Sequence, residues 1–284
     1  MQRFLILGGD PRQLCLARYL KQAGHDVSLY YEASSPSFSL KEAMEDSHII
    51  LCPIPFTKDG KTIFSHNRLP GLELDAFMDS LKPGHVLFGG NVPAAVTEHC
   101  KANRIPCFDF MKMEEVACKN AVATAEGAVA EAISLSPMNL RGSSCLVIGW
   151  GRCGQTLAGT LKAMGANTAV AGRNRTKLAQ VHCHGHEAVP LEQLSSHIQT
   201  YDFIFNTVPA MILDASLAGN VKQDAAVIDI ASAPGGVDFE ALRQAGIRAK
   251  LCPGLPGIYS PMTSARILYE AVTEHLQERS LLWN

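Results

Sequence analysis

An apolar, strand-like run at residues 144–148 ends in Gly149-Trp150-Gly151-Arg152-Cys153-Gly154 and passes at once into a helical pattern over 153–164, closed by Gly165. Few local structures satisfy that series. Gly149 permits a tight turn, Gly151 lets a phosphate approach the backbone, and Gly154 lets the helix pack on the strand, which together are the demands of a βαβ dinucleotide site. N–H groups at the helix start then face the phosphates. Three glycines alone could form a turn that merely connects a strand to a helix. The strand before them, the helix after them and a further strand at 168–171 favour the dinucleotide reading.

Short apolar runs alternate with amphipathic stretches along the whole chain, the pattern of α/β units around parallel sheets. Strands are predicted at 3–7, 26–30, 48–52, 85–88 and 105–109, then at 144–148, 168–171, 186–189, 202–206, 225–230 and 248–252. A helix over 11–23 starts on Pro11, whose missing N–H has no partner to lose at that position. Pro53, Pro55 and Pro70, with Gly60 and Gly71, mark a long loop at a strand end. Residues 113–135 are helical and rich in alanine (Ala121, Ala123, Ala125, Ala128, Ala130, Ala132), until Ser136-Pro137 stops them. At 284 residues the chain exceeds the usual single-domain size. The expected architecture is two doubly wound, parallel-sheet, Rossmann-like domains joined by this alanine-rich helix. The first, 1–136, is the substrate side, and the second, 137–284, holds the cofactor. The terminal helix, 261–277, carries an apolar stripe that could return to the first domain.

A net charge of -2 with 18% charged residues gives no basic surface for nucleic acid or an acidic membrane. No run approaches the ~20 apolar residues of a membrane span, and residues 1–7 enter a strand without the features of a signal peptide. Nine scattered cysteines, with no C-x-x-C pair, read as reduced thiols. A cytoplasmic protein is expected.

The second strand of the glycine-turn unit ends in Ala171-Gly172-Arg173-Asn174-Arg175-Thr176, where NAD enzymes place a carboxylate for the ribose diol. Two guanidiniums here would instead neutralise a 2′-phosphate, so NADP is predicted, with NAD possible. The competing reading is a solvated loop. Thr207-Val208-Pro209 after Asn206, Ala231-Ser232-Ala233-Pro234-Gly235-Gly236 and Pro253-Gly254-Leu255-Pro256-Gly257 are three more loops at consecutive strand ends, where such sheets bind ligands.

In the first half, Gly8-Gly9-Asp10 repeats the strand-to-helix turn, but Asp10 would set a negative charge where a phosphate sits. Arg12 is the candidate there for holding a substrate carboxylate, against a surface arginine. Glu126, among small apolar neighbours, is a candidate base if it is buried enough for desolvation to favour proton transfer, and otherwise a solvated or paired glutamate. His182, His184 and His186 would share one face of a strand, but with no recognisable fourth ligand a metal is not predicted. Neither a G-x-S-x-G elbow nor an H-E-x-x-H helix occurs.

These residues resemble the A-subunit family of dipicolinate synthases of endospore-forming Firmicutes. The likeness runs nearly end to end through Gly8-Gly9-Asp10 with Arg12-Gln13, Glu126-Gly127, Gly149 to Gly154, Asn206 to Pro209 with Met211-Ile212-Leu213, the stretch from Asp229 to Phe239, and Pro253 to Gly257. Trp150 is bulkier than the family's small or apolar residue, so altered contacts near the pyrophosphate are expected. The resemblance implies oxidation of dihydrodipicolinate, or of its hydrated tetrahydro precursor, to the dicarboxylate dipicolinate with NADP, in the mother-cell cytoplasm and with a flavoprotein-like B-subunit. It leaves homo-oligomerisation open. For the flat dianion, the site candidates are Arg12 and the amides of residues 232–236, Gly235 and Gly236 among them; Ser232 and Glu126 are the catalytic candidates. Cofactor contacts are expected from Gly149, Trp150, Gly151, Arg152, Cys153, Gly154, Arg173, Asn174, Arg175, Thr207, Val208, Pro209, Ala231, Gly254 and Pro256. Two other readings stand beside this one: an NADP-linked dehydrogenase of a small hydroxy or amino acid, and a noncatalytic NADP-binding regulatory subunit.

Overall fold

The computed structural model describes residues 1–31, 40–67 and 69–278. The chain divides into two compact units, one built from Met1–Lys119 with the chain from Ser260 onward, the other from Asn120–Tyr259. In the first unit β1 (Arg3–Leu7), α1 (Pro11–Gln22), β2 (Asp26–Tyr30), α2 (Leu40–Glu45), β3 (Ile49–Leu51), α3 (Leu74–Ser80), β4 (Val86–Gly89), α4 (Ala94–Ala102) and β5 (Cys107–Asp109) follow in turn. All strand pairs are parallel, in the order β2-β1-β3-β4-β5. Both sheet faces are covered, which is why the inner strands β1, β3 and β4 are apolar at successive positions rather than at alternate ones. Phe4, Ile6, Ile49, Leu51 and Phe88 pack one face against Leu16 and Leu20 of α1. Leu5, Leu7, Ile50 and Leu87 pack the other against Met44, Phe77 and Val96.

The 22-residue helix α5 (Glu114–Leu135) starts in the first unit and continues into the second. There follow β6 (Ser144–Ile148), α6 (Arg152–Ala163), β7 (Asn167–Gly172), α7 (Arg175–Cys183), β8 (Glu187–Pro190), α8 (Leu194–His197), β9 (Phe203–Asn206), α9 (Ala215–Ala218), β10 (Ala226–Asp229), α10 (Phe239–Gln244), β11 (Arg248–Leu251) and α11 (Leu255–Tyr259). The parallel sheet runs β11-β10-β9-β6-β7-β8. Counted within the unit this is the doubly wound order 3-2-1-4-5-6, with its switch point between β6 and β9. Ala125, Ala128 and Ala132 of α5 lie against the β6, β9 and β10 side chains Val147, Phe205 and Ile228 in one core. The alanines are small because the helix lies close: a Cβ on Gly127 would stand 3.0 Å from both Leu255 Cβ and Tyr259 Cδ2.

One boundary differs from the sequence expectation, and the terminal helix takes the alternative that the sequence left open. The second unit begins at Asn120, inside the alanine-rich helix rather than after it at residue 137. The terminal helix α12 (Pro261–Glu278) is part of the first unit, because its stripe Ala265, Leu268, Val272 and Leu276 completes the core that Leu16 and Phe4 begin. Residues 279–284 of the predicted second domain lie outside the described residues. All nine cysteines are free thiols, and no described helix is long and apolar enough to cross a membrane.

Candidate functional site

The turn after β6 is made by three glycines with different reasons to be glycine. Gly149 has φ +106°, and a Cβ there would sit 2.4 Å from Thr207 Oγ1. On Gly154 a Cβ would strike the Gly149 carbonyl oxygen at 2.2 Å. Those two are fixed by the fold itself. Gly151 has an ordinary extended backbone, φ -96° and ψ -170°, and a Cβ on it would meet no protein atom within 4 Å. It caps α6, a 12-residue helix, without any side-chain cap. An uncapped helix start carries positive partial charge and unmet donors, and a bare backbone beside it can come close to a pyrophosphate. The residues therefore fit a dinucleotide.

One strand over, β7 ends at Gly172 and the chain turns through exposed Arg173 and Asn174 into α7, whose first residue is the exposed Arg175. Asn174 caps that helix, its Oδ1 accepting from Lys177 N at 3.0 Å. Among the described residues neither arginine is in an ion pair, so both guanidiniums project beside a helix start.

Across the switch point the strand ends are tied together by a buried polar pair. Asn206 closes β9 and Asp229 closes β10; they are register partners and fully buried. Asp229 Oδ1 accepts from Asn206 Nδ2 and Ala231 N, both at 2.9 Å, and Oδ2 accepts from Gly236 N at 3.0 Å. Asn206 Nδ2 also donates to the Val208 carbonyl, and its Oδ1 accepts from Val208 N. Thr207 donates its hydroxyl to the Ile148 carbonyl at 2.9 Å, which locks this loop to the glycine turn. Beyond β11, Gly254 is exposed with φ +70°, and Pro256 is half-buried in α11. Neither Asn206 nor Asp229 stands out as a site residue in the sequence. A signal is present, however: two neighbouring apolar strands, Phe203-Ile204-Phe205 and Ala226-Val227-Ile228, each end on one polar residue.

Several expectations need correction. Gly235 and Gly236 do not offer free amides to a carboxylate, because Gly235 N donates to Ser232 O and Gly236 N to Asp229. Ser232 itself is exposed. Trp150 is buried in the core of the second unit, its ring edge-on to His184 and His186 at 5.5 and 5.8 Å, rather than turned towards the pyrophosphate. Glu126 is exposed, so the burial that would have made it a base is missing. Arg12 is buried, with its fork already filled: Nε and Nη2 meet the Asp10 carboxylate, and Nη2 also donates to the Ile54 carbonyl. The histidines lie on the last turn of α7 and the bend after it, not on one strand face, and among the described residues no cluster is arranged to hold a metal.

Similarity to known proteins extends over nearly the whole chain. Residues 3–111 match the family model for the N-terminal domain of the dipicolinate synthase A-subunit, and residues 116–250 that for the NAD-binding domain of D-isomer specific 2-hydroxyacid dehydrogenases. The chain is 30% identical over 290 residues to the dipicolinate synthase A-subunit of Bacillus subtilis, covering 97% of this chain and 96% of that one. Crystal structures of the dipicolinate synthase A-subunit superpose with a TM-score of 0.86 for the Bacillus halodurans protein (27% identity, 97% of each chain). For the Bacillus subtilis protein the TM-score is 0.82 (27% identity, 99% and 98% of the chains).

Proposed function

Because the chain belongs to the dipicolinate synthase A-subunit family and its second unit is the nicotinamide-binding domain of an oxidoreductase, we propose that it oxidises dihydrodipicolinate, or its 4-hydroxy-tetrahydro precursor, to dipicolinate. We further propose NADP as its cofactor, the flavoprotein-like B-subunit of the synthase as its partner and the mother-cell cytoplasm as its place of work in sporulation. The observation that carries the reading is Gly151, a glycine that no contact within the chain requires, at the uncapped start of α6.

A bound nicotinamide accepts a hydride. Around it the turn from Gly149 to Gly154 would hold the pyrophosphate, and Arg173 and Arg175 the 2′-phosphate. Loss of a hydride and a proton from a dihydropyridine gives an aromatic ring, and the hydrated precursor must also lose water. The demand on the chain is thus mainly to hold a flat dianion in place. In the second unit the exposed hydroxyl of Ser232 is the group we assign to a substrate carboxylate. Asp229, the carboxylate at these strand ends, is committed to three donors, and this is why we give a required part in turnover to the B-subunit.

The match of residues 116–250 to the 2-hydroxyacid dehydrogenase model supports a second reading, a dehydrogenase of a small hydroxy acid acting alone. One assay separates the two. Dipicolinate formation, followed by the ultraviolet absorbance of the aromatic product, should be slight with the purified chain, substrate and NADP, and should rise when the B-subunit is added. Full turnover by the chain alone would remove the partner from the proposal, and no dipicolinate from the pair would overturn the reaction.

A further inference from the structure

Burying a carboxylate is unfavourable unless its oxygens are hydrogen-bonded, and two apolar residues would fill the same volume without that demand. Asp229 and Asn206 are nevertheless both fully buried at the ends of central strands. Their bonds explain what they do there. Asp229 takes the amides at both ends of the 231–236 loop, Ala231 N and Gly236 N, on its two oxygens. Asn206 grips both backbone groups of Val208 and reaches across to Asp229. The backbone of the same two residues receives Ile230 N and Cys252 N. Gly236 is pressed into this junction so tightly that a Cβ would stand 2.5 Å from the carbonyl oxygens of Val208 and Ala210. Three strand-end loops are thus referenced to one pair.

In a 3-2-1-4-5-6 sheet a dinucleotide crosses the switch point, with one half over the β6–β7 side and the other over the β9–β10 side. The glycine turn and Arg173 belong to the first side. We propose that Asp229 is a positioning residue for the nicotinamide half: it sets the 206–209 and 231–236 loops on which that half rests, without touching cofactor or substrate. The proposal rests on the dinucleotide reading above. Asp229→Asn keeps the shape but turns one acceptor into a donor, so either Gly236 N–H or the Ala231 and Asn206 donors lose their partner, and one end of the loop is released.

The test separates the two halves of the ligand. Wild type and Asp229→Asn are titrated with NADPH and NADH, and with the matching ADP-riboses that lack nicotinamide, while nicotinamide emission is recorded. The variant should bind the ADP-riboses within about twofold of wild type but lose at least about tenfold for the reduced dinucleotides, whose emission should return to that of the free form. Equal losses for both ligand classes would make Asp229 a general structural residue and overturn the proposal, as would a variant that behaves like wild type. Wild type that binds neither class would overturn the dinucleotide reading and the proposal with it, a result seen before any substitution is made. If the variant does not fold, hydrogen exchange on the wild type decides: the amides of Ala231 and Gly236 should be strongly protected without nucleotide, and fast exchange there would overturn the proposal.

Discussion

Each unit has a parallel sheet whose strand order reverses beside a glycine turn that enters a helix, between β1 and β3 in the first and between β6 and β9 in the second. In the second unit a Cβ on Gly151 would meet no protein atom, and the helix start has no side-chain cap. The first unit fills the corresponding place from its own chain. Gly9 N donates to the Phe64 carbonyl, and a Cβ on Gly8 would lie 2.5 Å from that same oxygen. Asp10 caps α1 by accepting from Arg12 N, and the Arg12 guanidinium closes over it and onto Ile54. The loop after β3 thus supplies the acceptor, and Asp10 the anion, that a ligand would bring. A Cβ on Gly8 would strike protein, so the fold needs that glycine, whereas Gly151, with ordinary extended angles at an uncapped helix start, is required by no contact within the chain.

Exchanging the two kinds of glycine should break this comparison most visibly. Gly151→Val fits the backbone angles at that position and should cost no more than about 1 kcal/mol as a poorer helix cap while weakening dinucleotide binding at least about a hundredfold. Gly8→Ala should do the reverse. Its φ of +49° and the Phe64 contact both oppose a side chain, so a loss of roughly 2–4 kcal/mol is expected with nucleotide affinity intact. Calorimetric melting and nucleotide titration on both variants check the pair. A destabilised Gly151→Val that still binds would reverse the assignment of the two turns.

The next test asks whether the first turn is closed by its charge or by its backbone. Asp10→Asn leaves the buried Arg12 without its carboxylate and should lower stability by roughly 3 kcal/mol, the low end for breaking a buried pair. It should not create a phosphate site, because Gly9 N remains bonded to Phe64 O. Nucleotide binding gained by the first unit, seen as a second site in Asp10→Asn combined with Gly151→Val, would show that charge alone had closed it.

Most of this contrast begins in the sequence but is not finished there. Apolar runs mark the central strands of both sheets, because a sheet covered on both faces leaves them few polar positions, while the edge strands β2, β8 and β11 keep exposed polar residues. Asp10 already weighs against a phosphate in the first turn, because its charge is local information. That Phe64 would close over Gly8 and Gly9 is not legible, since it depends on the path of a loop more than 50 residues downstream. Trp150 reads as a turn residue because its neighbours in sequence are the turn, yet its ring goes to His184 and His186, which reach it only through the packing of the sheet. Asn206 and Asp229 give only a faint signal, one polar residue at the end of each apolar run. A polar residue at a strand end usually faces water, and only the parallel pairing of β9 with β10 brings these two together and buries them.

A smaller effect sharpens the open turn itself. If α6 and the end of β7 hold one ligand, the exposed Arg173 and Arg175 should set its 2′-substituent. A charge-assisted contact to a phosphate corresponds to about tenfold in affinity before screening. Arg173→Asp should therefore weaken NADP by about that factor and leave NAD equal or better bound, and added salt should reduce NADP affinity more steeply than NAD affinity. Dissociation constants for both nucleotides at two ionic strengths test it. Equal wild-type affinities would reduce these arginines to a solvated loop.

The smallest expected effect concerns how the open turn is backed from within. His186 is buried, its Nδ1 has no hydrogen-bond partner among the described residues, and its ring lies against Trp150 of the turn. Burial first, then the positive charge of Lys162 and the neighbouring His184, hold its pKa below the usual 6.5. The unfolded chain takes up this proton more readily than the folded one. The stability that neutral His186 contributes is thus complete above about pH 6.5 and is lost as pH falls from there through the lowered folded value. In the first unit His85 is also buried and shifted downwards, mainly by burial, but its Nδ1 accepts from Lys82 N and its Nε2 meets the Met44 carbonyl. The two should therefore be separable. His186→Phe should flatten the fall in melting temperature below pH 6.5 and remove an unpaired buried nitrogen, so that stability at pH 7.5 is kept or raised. His85→Phe should flatten the same fall but lower stability at pH 7.5, because it leaves Lys82 N–H and the Met44 carbonyl without their partner. Melting curves at pH 5.5 and 7.5 for wild type and both variants measure this, and an unchanged pH slope in His186→Phe would remove that histidine from the account.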